Sequence, residues 1–187
     1  MFIVVTGGSG SGKSEYAEEK TVSVFEKVFA ENLIYAATMR PFGQDALFRI
    51  KRHRNMRKGK GFVTVECFSC IESLERLSGL TLYKSVVLLE CLSNLVANEM
   101  FLEDGSVLGV STVTDRVIKG LKFLVRKCAG LIVVTNEIFS DGLAEYDDLT
   151  LNYIQALGNV NRFIALSADS VVEVVCGIPI RVKGGAY

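Results

Sequence analysis

The stretch that decides the fold lies near the start of the chain: Phe2-Ile3-Val4-Val5-Thr6-Gly7-Gly8-Ser9-Gly10-Ser11-Gly12-Lys13-Ser14. It begins with an apolar, β-branched run, which predicts a strand. Beyond the glycines, residues with small or apolar side chains recur at helical spacing, namely Ala17, Thr21, Val24 and Val28. The sequence therefore predicts a strand, a glycine-rich loop and a helix in succession.

The loop matches the pattern G-x-x-x-x-G-K-[ST], in the context in which that pattern binds a nucleotide phosphate. Its backbone N–H groups can turn toward a phosphate, and the helix N-terminus adds the positive end of its dipole. Lys13 can reach the β- and γ-phosphates, and the Ser14 hydroxyl can ligate Mg²⁺. A glycine-rich turn without a ligand is the disfavoured alternative. We predict nucleotide contacts from Gly7, Gly8, Ser9, Gly10, Ser11, Gly12, Lys13 and Ser14.

Further β-branched runs recur along the chain, and several are apolar without alternation, as in strands covered on both faces. They predict strands over Leu33–Thr38, Phe62–Glu66, Val86–Glu90, Gly130–Thr135, Val171–Cys176 and, at an edge, Ile178–Lys183. A helical pattern with Ser111 as a plausible N-cap lies between the fourth and fifth strands; it consists of Val113, Val117, Leu121, Leu124 and Cys128.

This alternation predicts an α/β fold, a P-loop NTPase (RecA-like) three-layer sandwich with a mostly parallel sheet. The chain contains no internal repeat, low-complexity tract or linker. We therefore expect residues 1–187 to form a single P-loop nucleotide-binding domain.

The amino-acid composition excludes several classes of protein. The 187 residues include 21 Lys and Arg and 21 Asp and Glu, so the formal net charge is zero, and 49% of the residues are hydrophobic. Such a chain can bury a core, which excludes general disorder. Neutrality argues against nucleic acid or an anionic membrane as the main partner. With no recognisable export signal or membrane span, we expect a cytoplasmic protein.

The cysteines predict no disulfide framework, because the chain has five of them and no export signal. Cys67 and Cys70 form a C-x-x-C, but no second pair or histidine lies at zinc-ligand spacing, which disfavours a metal or redox role. Three others lie within apolar runs and are predicted to be reduced core residues, namely Cys91, Cys128 and Cys176.

Polar residues at the ends of two predicted strands are candidates for the site. Glu90 closes Val86–Glu90, the context of a Walker-B-type carboxylate that supports a metal together with Ser14. An ordinary strand-end carboxylate is the alternative. Asn136 and Glu137 follow another strand at the same expected edge, where ligands collect in open α/β folds. A loop cap is their alternative interpretation.

Positive charge is concentrated between Arg49 and Lys60, and this segment contains the only histidine, His53. If residues 45–57 are helical, Asp45, Arg49, His53 and Arg57 stack on one face. Apolar contacts are then expected from Ala46, Leu47, Ile50 and Met56.

Three interpretations of this segment compete: a solvated helix face, a nucleic-acid patch, and a nucleotide phosphate site in which His53 acts directly. The lack of interleaved aromatic residues and the zero net charge disfavour nucleic acid. Nearby cations lower the pKa of an imidazole, which keeps it neutral and nucleophilic. Spacing alone does not choose among the three.

Taken together, the motifs resemble the bifunctional adenosylcobinamide kinase / adenosylcobinamide-phosphate guanylyltransferases of cobalamin assembly, over nearly the whole chain. The resemblance rests on segments of this sequence that occur in the family's order. They are the phosphate loop followed by Ala17-Glu18; Tyr35-Ala-Ala-Thr38; Asp45, Arg49-Ile50, His53-Arg54 and Arg57; Phe62-x-Thr-x-Glu66; Leu88-Leu-Glu-Cys-Leu92 with Asn94; Val134-Thr-Asn-Glu137; Gly158-x-x-Asn161; Ala168-Asp169; and Val174-Val-x-Gly-Ile178.

The resemblance implies a two-step enzyme that uses GTP and ATP as substrates and Mg²⁺ as cofactor. The first step phosphorylates adenosylcobinamide with a nucleoside triphosphate. The second transfers GMP from GTP, through a GMP-histidine intermediate, to the adenosylcobinamide phosphate. The resemblance implies Lys13 and His53 as catalytic residues, with Ser14 and Glu90 at the metal. It adds Thr38, Met39, Arg40, Arg54, Arg57, Glu66 and Glu90 as nucleotide-binding positions, and a homotrimeric assembly.

The chain departs from the family's usual pattern in several places. Ser9-Gly10 stands where an Ala-Arg pair is usual, so one cation is missing near the phosphates. The run from Ile138 to Glu145 is acidic and lacks the family's glycine-rich segment with its proline, Phe62 takes a tryptophan position, and Lys58–Gly61 holds an extra residue. An enzyme with only one of the two activities is therefore an alternative. A nucleotide-binding regulatory or nucleic-acid-associated module is another.

Overall fold

The structure is a computed structural model, and it describes residues 1–138 and 146–185. Its centre is a seven-stranded sheet in the order β3-β2-β4-β5-β1-β6-β7. All neighbouring strands run parallel except β6 and β7, which form an antiparallel hairpin at one edge. The strands are β1 (Phe2–Thr6), β2 (Asn32–Ala37), β3 (Val63–Glu66), β4 (Ser85–Glu90), β5 (Gly130–Val134), β6 (Ser170–Val175) and β7 (Ile178–Lys183).

Helices cover both faces of this sheet. They are α1 (Lys13–Val28), α2 (Gly43–Met56), α3 (Leu74–Ser78), α4 (Leu92–Met100), α5 (Val110–Lys127) and α6 (Asp148–Ser167). Short 3₁₀ turns lie at Ile71–Ser73 and Leu82–Lys84. The predicted α/β sandwich with a mostly parallel sheet is therefore confirmed. In the described ranges, no helix is both long and apolar enough to span a membrane.

The two faces of the sheet bury separate apolar clusters, and β1 shows how. Phe2 and Val4 point into the cluster formed with α4, α5 and α6, whereas Ile3 and Val5 point into the cluster formed with α1. All four side chains are at most 3% exposed. Because successive side chains point to opposite faces, a strand covered on both sides must be apolar throughout. This explains the unbroken apolar runs of the sequence.

Two local predictions were wrong. Helix α5 begins with Gly109 as its N-cap rather than Ser111, because the chain turns helical at Val110 and the extended Gly109 already provides the N-terminal residue. Cys176 is not a core residue. It is exposed and has a φ of 49° at the turn between β6 and β7, since the chain needs residues outside the sheet to reverse direction. Cys91 and Cys128 are half-buried, and Cys67 is buried.

Helix α2 lies over the edge of the sheet, and three of its four expected apolar residues, Ala46, Ile50 and Met56, are half-buried. Arg57 at its C-terminus is buried, and Ala46, Ile50 and His53 are half-buried on the same side. Leu47, predicted to make apolar contacts, is 48% exposed. The inward side of α2 therefore carries His53 and Arg57 as well as apolar residues.

Candidate functional site

The glycine loop leaves β1 and enters α1 at Lys13, with Gly12 in the left-handed region at a φ of 91°. A Cβ added to Gly7 would lie 2.5 Å from the Val174 carbonyl oxygen, so this position has no room for a side chain. The Gly177 N–H donates to the Ser11 carbonyl oxygen at 2.8 Å. The loop is thus held between its own helix and the β6–β7 hairpin.

Lys13 folds back over this loop. Its Nζ donates to the Gly8 carbonyl oxygen at 2.9 Å. Burial lowers the pKa of Lys13, and the nearby Cys91 and Glu90 oppose that effect. The amine therefore lies at the inner side of the loop, where an anion can replace the carbonyl as its partner.

Glu90, at the end of β4, faces the start of α1. The Ser14 hydroxyl donates to its Oε1 at 2.5 Å, while Oε2 is buried without a hydrogen-bond partner. Burial is the main cause that raises the pKa of Glu90 to about 7, and the bond from Ser14 acts in the opposite direction. A hydroxyl beside a carboxylate with a spare oxygen fits a hard divalent cation such as Mg²⁺. Ser14 and Glu90 are thus the residues that would hold one.

His53 points from α2 toward the same carboxylate. Its Nδ1 lies 3.8 Å from Glu90 Oε1 and 3.4 Å from the Tyr35 hydroxyl. Burial, followed by the positive charges of Arg52, Arg57, Lys13 and Arg49, lowers the pKa of His53 to about 4. The imidazole is therefore neutral at pH 7. From the sequence we expected nearby cations to lower this pKa, but burial is the largest cause of the shift.

Arg57 brings a buried cation to the same place. The carbon of its guanidinium lies 3.4 Å from the centre of the Tyr35 ring, and its Nη2 donates to the Thr64 hydroxyl at 3.3 Å. Its side chain is 7% exposed, and Nε and Nη1 have no hydrogen-bond partner. Buried guanidinium donors without partners are costly, so an anion is the ligand that they fit.

One pocket joins His53, Arg57 and Glu90. It lies between α2 and the carboxyl ends of β2, β3 and β4, where ligands bind in open α/β sheets. Of the residues predicted as site residues, it is lined by Met39, His53, Arg54, Arg57, Glu66 and Glu90. At its outer side Arg54 and Glu66 form an ion pair at 3.2 Å. The structure thus brings the histidine, two arginines and the strand-end carboxylates together beside the phosphate loop.

Two predicted nucleotide-binding residues beyond the phosphate loop lie outside the lining of this pocket. Thr38 is fully buried, and its hydroxyl donates to the Cys91 carbonyl oxygen at 2.8 Å, which ties the ends of β2 and β4 together. Arg40 pairs with Glu103 at 3.0 Å. Their contacts with a nucleotide stay predictions.

The end of β5 also reaches the site. The Asn136 side chain donates to the Ser93 hydroxyl at 2.6 Å, and the Glu137 N–H donates to the Gly7 carbonyl oxygen at 3.2 Å. Asn136 thus contacts the first turn of α4, and the backbone of Glu137 supports the phosphate loop. Of the acidic run that departs from the family pattern, residues 139–145 lie outside the described residues.

Sequence reasoning missed three residues of this region. Tyr35 belongs to an apolar strand and has the pattern of a core residue. Glu18 and Lys60 form an ion pair at 2.8 Å, with the Glu18 side chain 1% exposed, and this pair fastens the segment after α2 to α1. The pairing of residues 42 positions apart leaves no signal in local spacing.

Solved structures with the same architecture include an ATPase domain, with a TM-score of 0.50 and 11% identity, covering 92% of this chain and 68% of that one. A KaiC-like protein from Pyrococcus horikoshii OT3 has a TM-score of 0.50 and 13% identity, with 92% and 69% coverage. At such identities the likeness concerns the fold alone. Fold and loop together define a P-loop NTPase, as predicted.

The sequence profile of one family, described as cobinamide kinase / cobinamide phosphate guanyltransferase (CobU), matches residues 3–182. The chain belongs to this family and is a transferase. Proteins named bifunctional adenosylcobalamin biosynthesis protein CobU, from Salmonella typhimurium and from Escherichia coli K12, are each 29% identical to it over 191 residues. Each alignment covers 98% of this chain and 100% of the relative. The resemblance inferred from the motifs is thereby confirmed.

Proposed function

We propose that this enzyme phosphorylates adenosylcobinamide with ATP or GTP and then transfers GMP from GTP to the product, forming adenosylcobinamide-GDP. Family membership supports the pair of activities. The observation that carries the mechanism is the placement of His53, the only histidine of the chain, as a neutral side chain within 3.8 Å of Glu90. One pocket thus offers both a metal-supporting carboxylate and a nucleophile.

In the phosphorylation step, the loop amides and Lys13 bind the β- and γ-phosphates, and Lys13 exchanges the Gly8 carbonyl for a phosphate oxygen. Ser14 and Glu90 would hold Mg²⁺, which when bound would neutralise charge on the phosphates. The acceptor hydroxyl attacks the γ-phosphorus and loses its proton to solvent. The bond from this phosphorus to the bridging oxygen breaks, and the nucleoside diphosphate leaves with the electron pair. Positioning and charge neutralisation supply most of the catalysis in such transfers.

In the guanylyl transfer, the neutral imidazole of His53 attacks the α-phosphorus of GTP. A nitrogen–phosphorus bond forms, the bond from phosphorus to the bridging oxygen breaks, and pyrophosphate leaves with the electron pair. The partnerless donors of Arg57 stabilise the negative charge of the transition state. A phosphate oxygen of the acceptor then attacks the same phosphorus, and His53 leaves unchanged.

Incubation with GTP labelled at the α-phosphate tests this mechanism. We expect label on the protein that is released by acid and resists base, as a phosphoramidate does, and no label on His53→Ala. Asn55→Ala is the matched control, because Asn55 is an exposed residue of the same helix. A wild-type protein that takes up no label, or a His53→Ala protein that does, would contradict the mechanism.

An enzyme with one activity is the second candidate. It is favoured by Ser9-Gly10 in the phosphate loop, which leaves the loop with Lys13 as its only cationic side chain. Adenosylcobinamide with ATP assays the kinase, and its phosphate with GTP assays the guanylyltransferase. Turnover in both assays would eliminate the one-activity alternative. A purely regulatory or nucleic-acid-binding role is disfavoured by membership of a transferase family.

We also propose that the enzyme acts in the cytoplasm as a homotrimer, as implied by the family resemblance. The segment leading into α2 and the outer face of this helix support an assembly, since Phe42 is 91% exposed and Phe48 is 70% exposed. Large aromatic side chains that are exposed to this degree favour contact with another protein surface. Light scattering coupled to size-exclusion chromatography would measure the mass, and a monomer would contradict the trimer.

A further inference from the structure

Tyr35, in the middle of β2, contacts both functional groups of α2. It is 3% exposed, and its hydroxyl oxygen lies 3.4 Å from His53 Nδ1. Its ring lies under the Arg57 guanidinium at 3.4 Å and meets Phe62 edge-to-face, with ring centres 6.2 Å apart. Tyr35 therefore belongs to a strand in the interior of the sheet. From there it contacts His53 and Arg57, which come from the more exposed helix α2 and its C-terminal end.

The surroundings of His53 Nδ1 decide which nitrogen carries the proton. Two oxygens lie near it, Tyr35 Oη at 3.4 Å and Glu90 Oε1 at 3.8 Å. Glu90 Oε1 already accepts a hydrogen bond from the Ser14 hydroxyl, so it faces His53 as an acceptor, and a phenol oxygen can also accept. A nitrogen that faces two acceptors is the one that donates, so the proton belongs on Nδ1 and the lone pair on Nε2. These distances are long, as is common for catalytic hydrogen bonds before the substrate binds.

We propose that Tyr35 is a positioning residue for guanylyl transfer: its hydroxyl accepts from Nδ1 of His53 so that Nε2 is the nucleophilic atom, and its ring supports Arg57 beside it. This inference rests on the function proposed above. Nε2 forms the bond to the α-phosphorus while the bond to the bridging oxygen breaks and pyrophosphate takes the electron pair. The proton on Nδ1 stays in place, and the positive charge of the substituted ring lies next to Tyr35 and Glu90.

The ring of Tyr35 has a separate part in this arrangement. A guanidinium over an aromatic face is attracted by the ring electrons, and the attraction is stronger when water is excluded. Arg57 has a single hydrogen bond from its guanidinium, to Thr64, so the ring is its other support among the described contacts. Tyr35→Phe removes the hydroxyl and keeps this support, whereas Tyr35→Leu removes both.

Nitrogen NMR tests the tautomer directly and without turnover. Because the chain has one histidine, protein made with ¹⁵N-histidine and no histidine tag shows a single imidazole. We expect wild type to show a protonated Nδ1 and an unprotonated Nε2, and Tyr35→Phe to show a mixture of tautomers. Tyr153→Phe, which removes a half-buried hydroxyl that donates to the Ser93 carbonyl oxygen at 3.3 Å, should leave the signals unchanged. A wild-type protein with its proton on Nε2 would overturn the proposal.

The rate of labelling by α-labelled GTP gives the second measurement. We expect Tyr35→Phe to form the adduct about tenfold more slowly, because a misoriented nucleophile loses near-attack geometry, with little change in the GTP concentration for half-saturation. Tyr35→Leu should form the adduct still more slowly. It should also bind GTP more weakly, because Arg57 loses the support of the ring. Wild-type rates in Tyr35→Phe would overturn the proposal. Absence of any adduct in wild type would instead refute the histidine mechanism, while the tautomer measurement would still decide the role of Tyr35.

Discussion

At the scale of single residues, Glu90 is the side chain on which the metal-dependent step depends. We expect Glu90→Gln to lower the kinase rate by more than about 100-fold, because an amide keeps the shape of the carboxylate but not the charge that a divalent cation needs. A kinase assay over a series of Mg²⁺ concentrations measures this loss. Glu26→Gln is the control, as Glu26 is an exposed residue of α1. A Glu90→Gln enzyme with the wild-type response to Mg²⁺ would contradict the assignment of Glu90 as a metal-binding residue.

The Glu18–Lys60 pair predicts a stability that depends on pH. In Lys60→Met, Glu18 stays buried but loses the positive charge that compensates its own negative charge. Because an unpaired buried charge destabilises the native state, we expect a loss of about 2 kcal/mol in unfolding free energy at pH 8. Burial already raises the pKa of Glu18, and its partner Lys60 opposes this rise. Without Lys60 the pKa rises further, so the native state binds a proton more readily than the unfolded state as pH falls. The loss should therefore be smaller at pH 5 than at pH 8.

Urea denaturation at the two pH values measures this difference. Lys58→Met, an exposed neighbour in the same segment, should change the unfolding free energy by less than about 0.5 kcal/mol. An equal loss at both pH values in Lys60→Met would contradict a charged Glu18 as its cause.

The roles of some residues in the candidate site could be predicted from the sequence, and those of others could not. The phosphate loop was predictable because its chemistry needs glycines, a lysine and a serine at fixed spacing. His53 was conspicuous as the only histidine within a basic segment. Tyr35 was hidden, since a buried strand residue looks the same whether its hydroxyl faces a core or a pocket. Glu18 and Lys60 were hidden because their pairing depends on the tertiary fold.

At the scale of elements, the phosphate loop predicts unequal tolerance of its glycines. Gly7→Ala would place a Cβ 2.5 Å from the Val174 carbonyl oxygen, whereas a Cβ on Gly8 has nothing within 4 Å. We expect Gly7→Ala to lose about 2 kcal/mol of unfolding free energy because rigid backbone must shift. Gly8→Ala should lose less than about 0.5 kcal/mol. Thermal denaturation of the two variants compares them, and equal losses would show that Val174 does not confine the loop.

The helices and strands were largely predictable from the sequence, and the errors in their predicted positions have physical causes. Strand positions followed from unbroken apolar runs because both faces of the sheet are covered. The inward face of α2 was predicted in part, since Ala46, Ile50 and Met56 are half-buried as expected, whereas Leu47 is exposed and the inward side also carries His53 and Arg57. The end of β6 was placed one residue too far because Cys176 is apolar enough to continue the strand pattern, while the reversal into β7 depends on Gly177.

At the scale of the whole molecule, the interpretation of residues 1–187 as one domain predicts one cooperative unfolding transition. Strand β1 lies between β5 and β6 and contributes side chains to both apolar clusters. Loss of either cluster would therefore expose part of the other. We expect urea transitions followed by far-ultraviolet circular dichroism and by tyrosine fluorescence to coincide. Two separated midpoints would contradict a single domain.

The contact between Gly177 and Ser11 has a consequence for the timing of protein synthesis. The phosphate loop leaves the ribosome early, but the backbone group that holds it belongs to a hairpin near the other end of the chain. Domains generally fold as units while the chain is being made. A nascent chain therefore lacks one backbone contact of its nucleotide-binding loop until the hairpin has emerged, so we expect nucleotide binding to strengthen late in the translation of the domain.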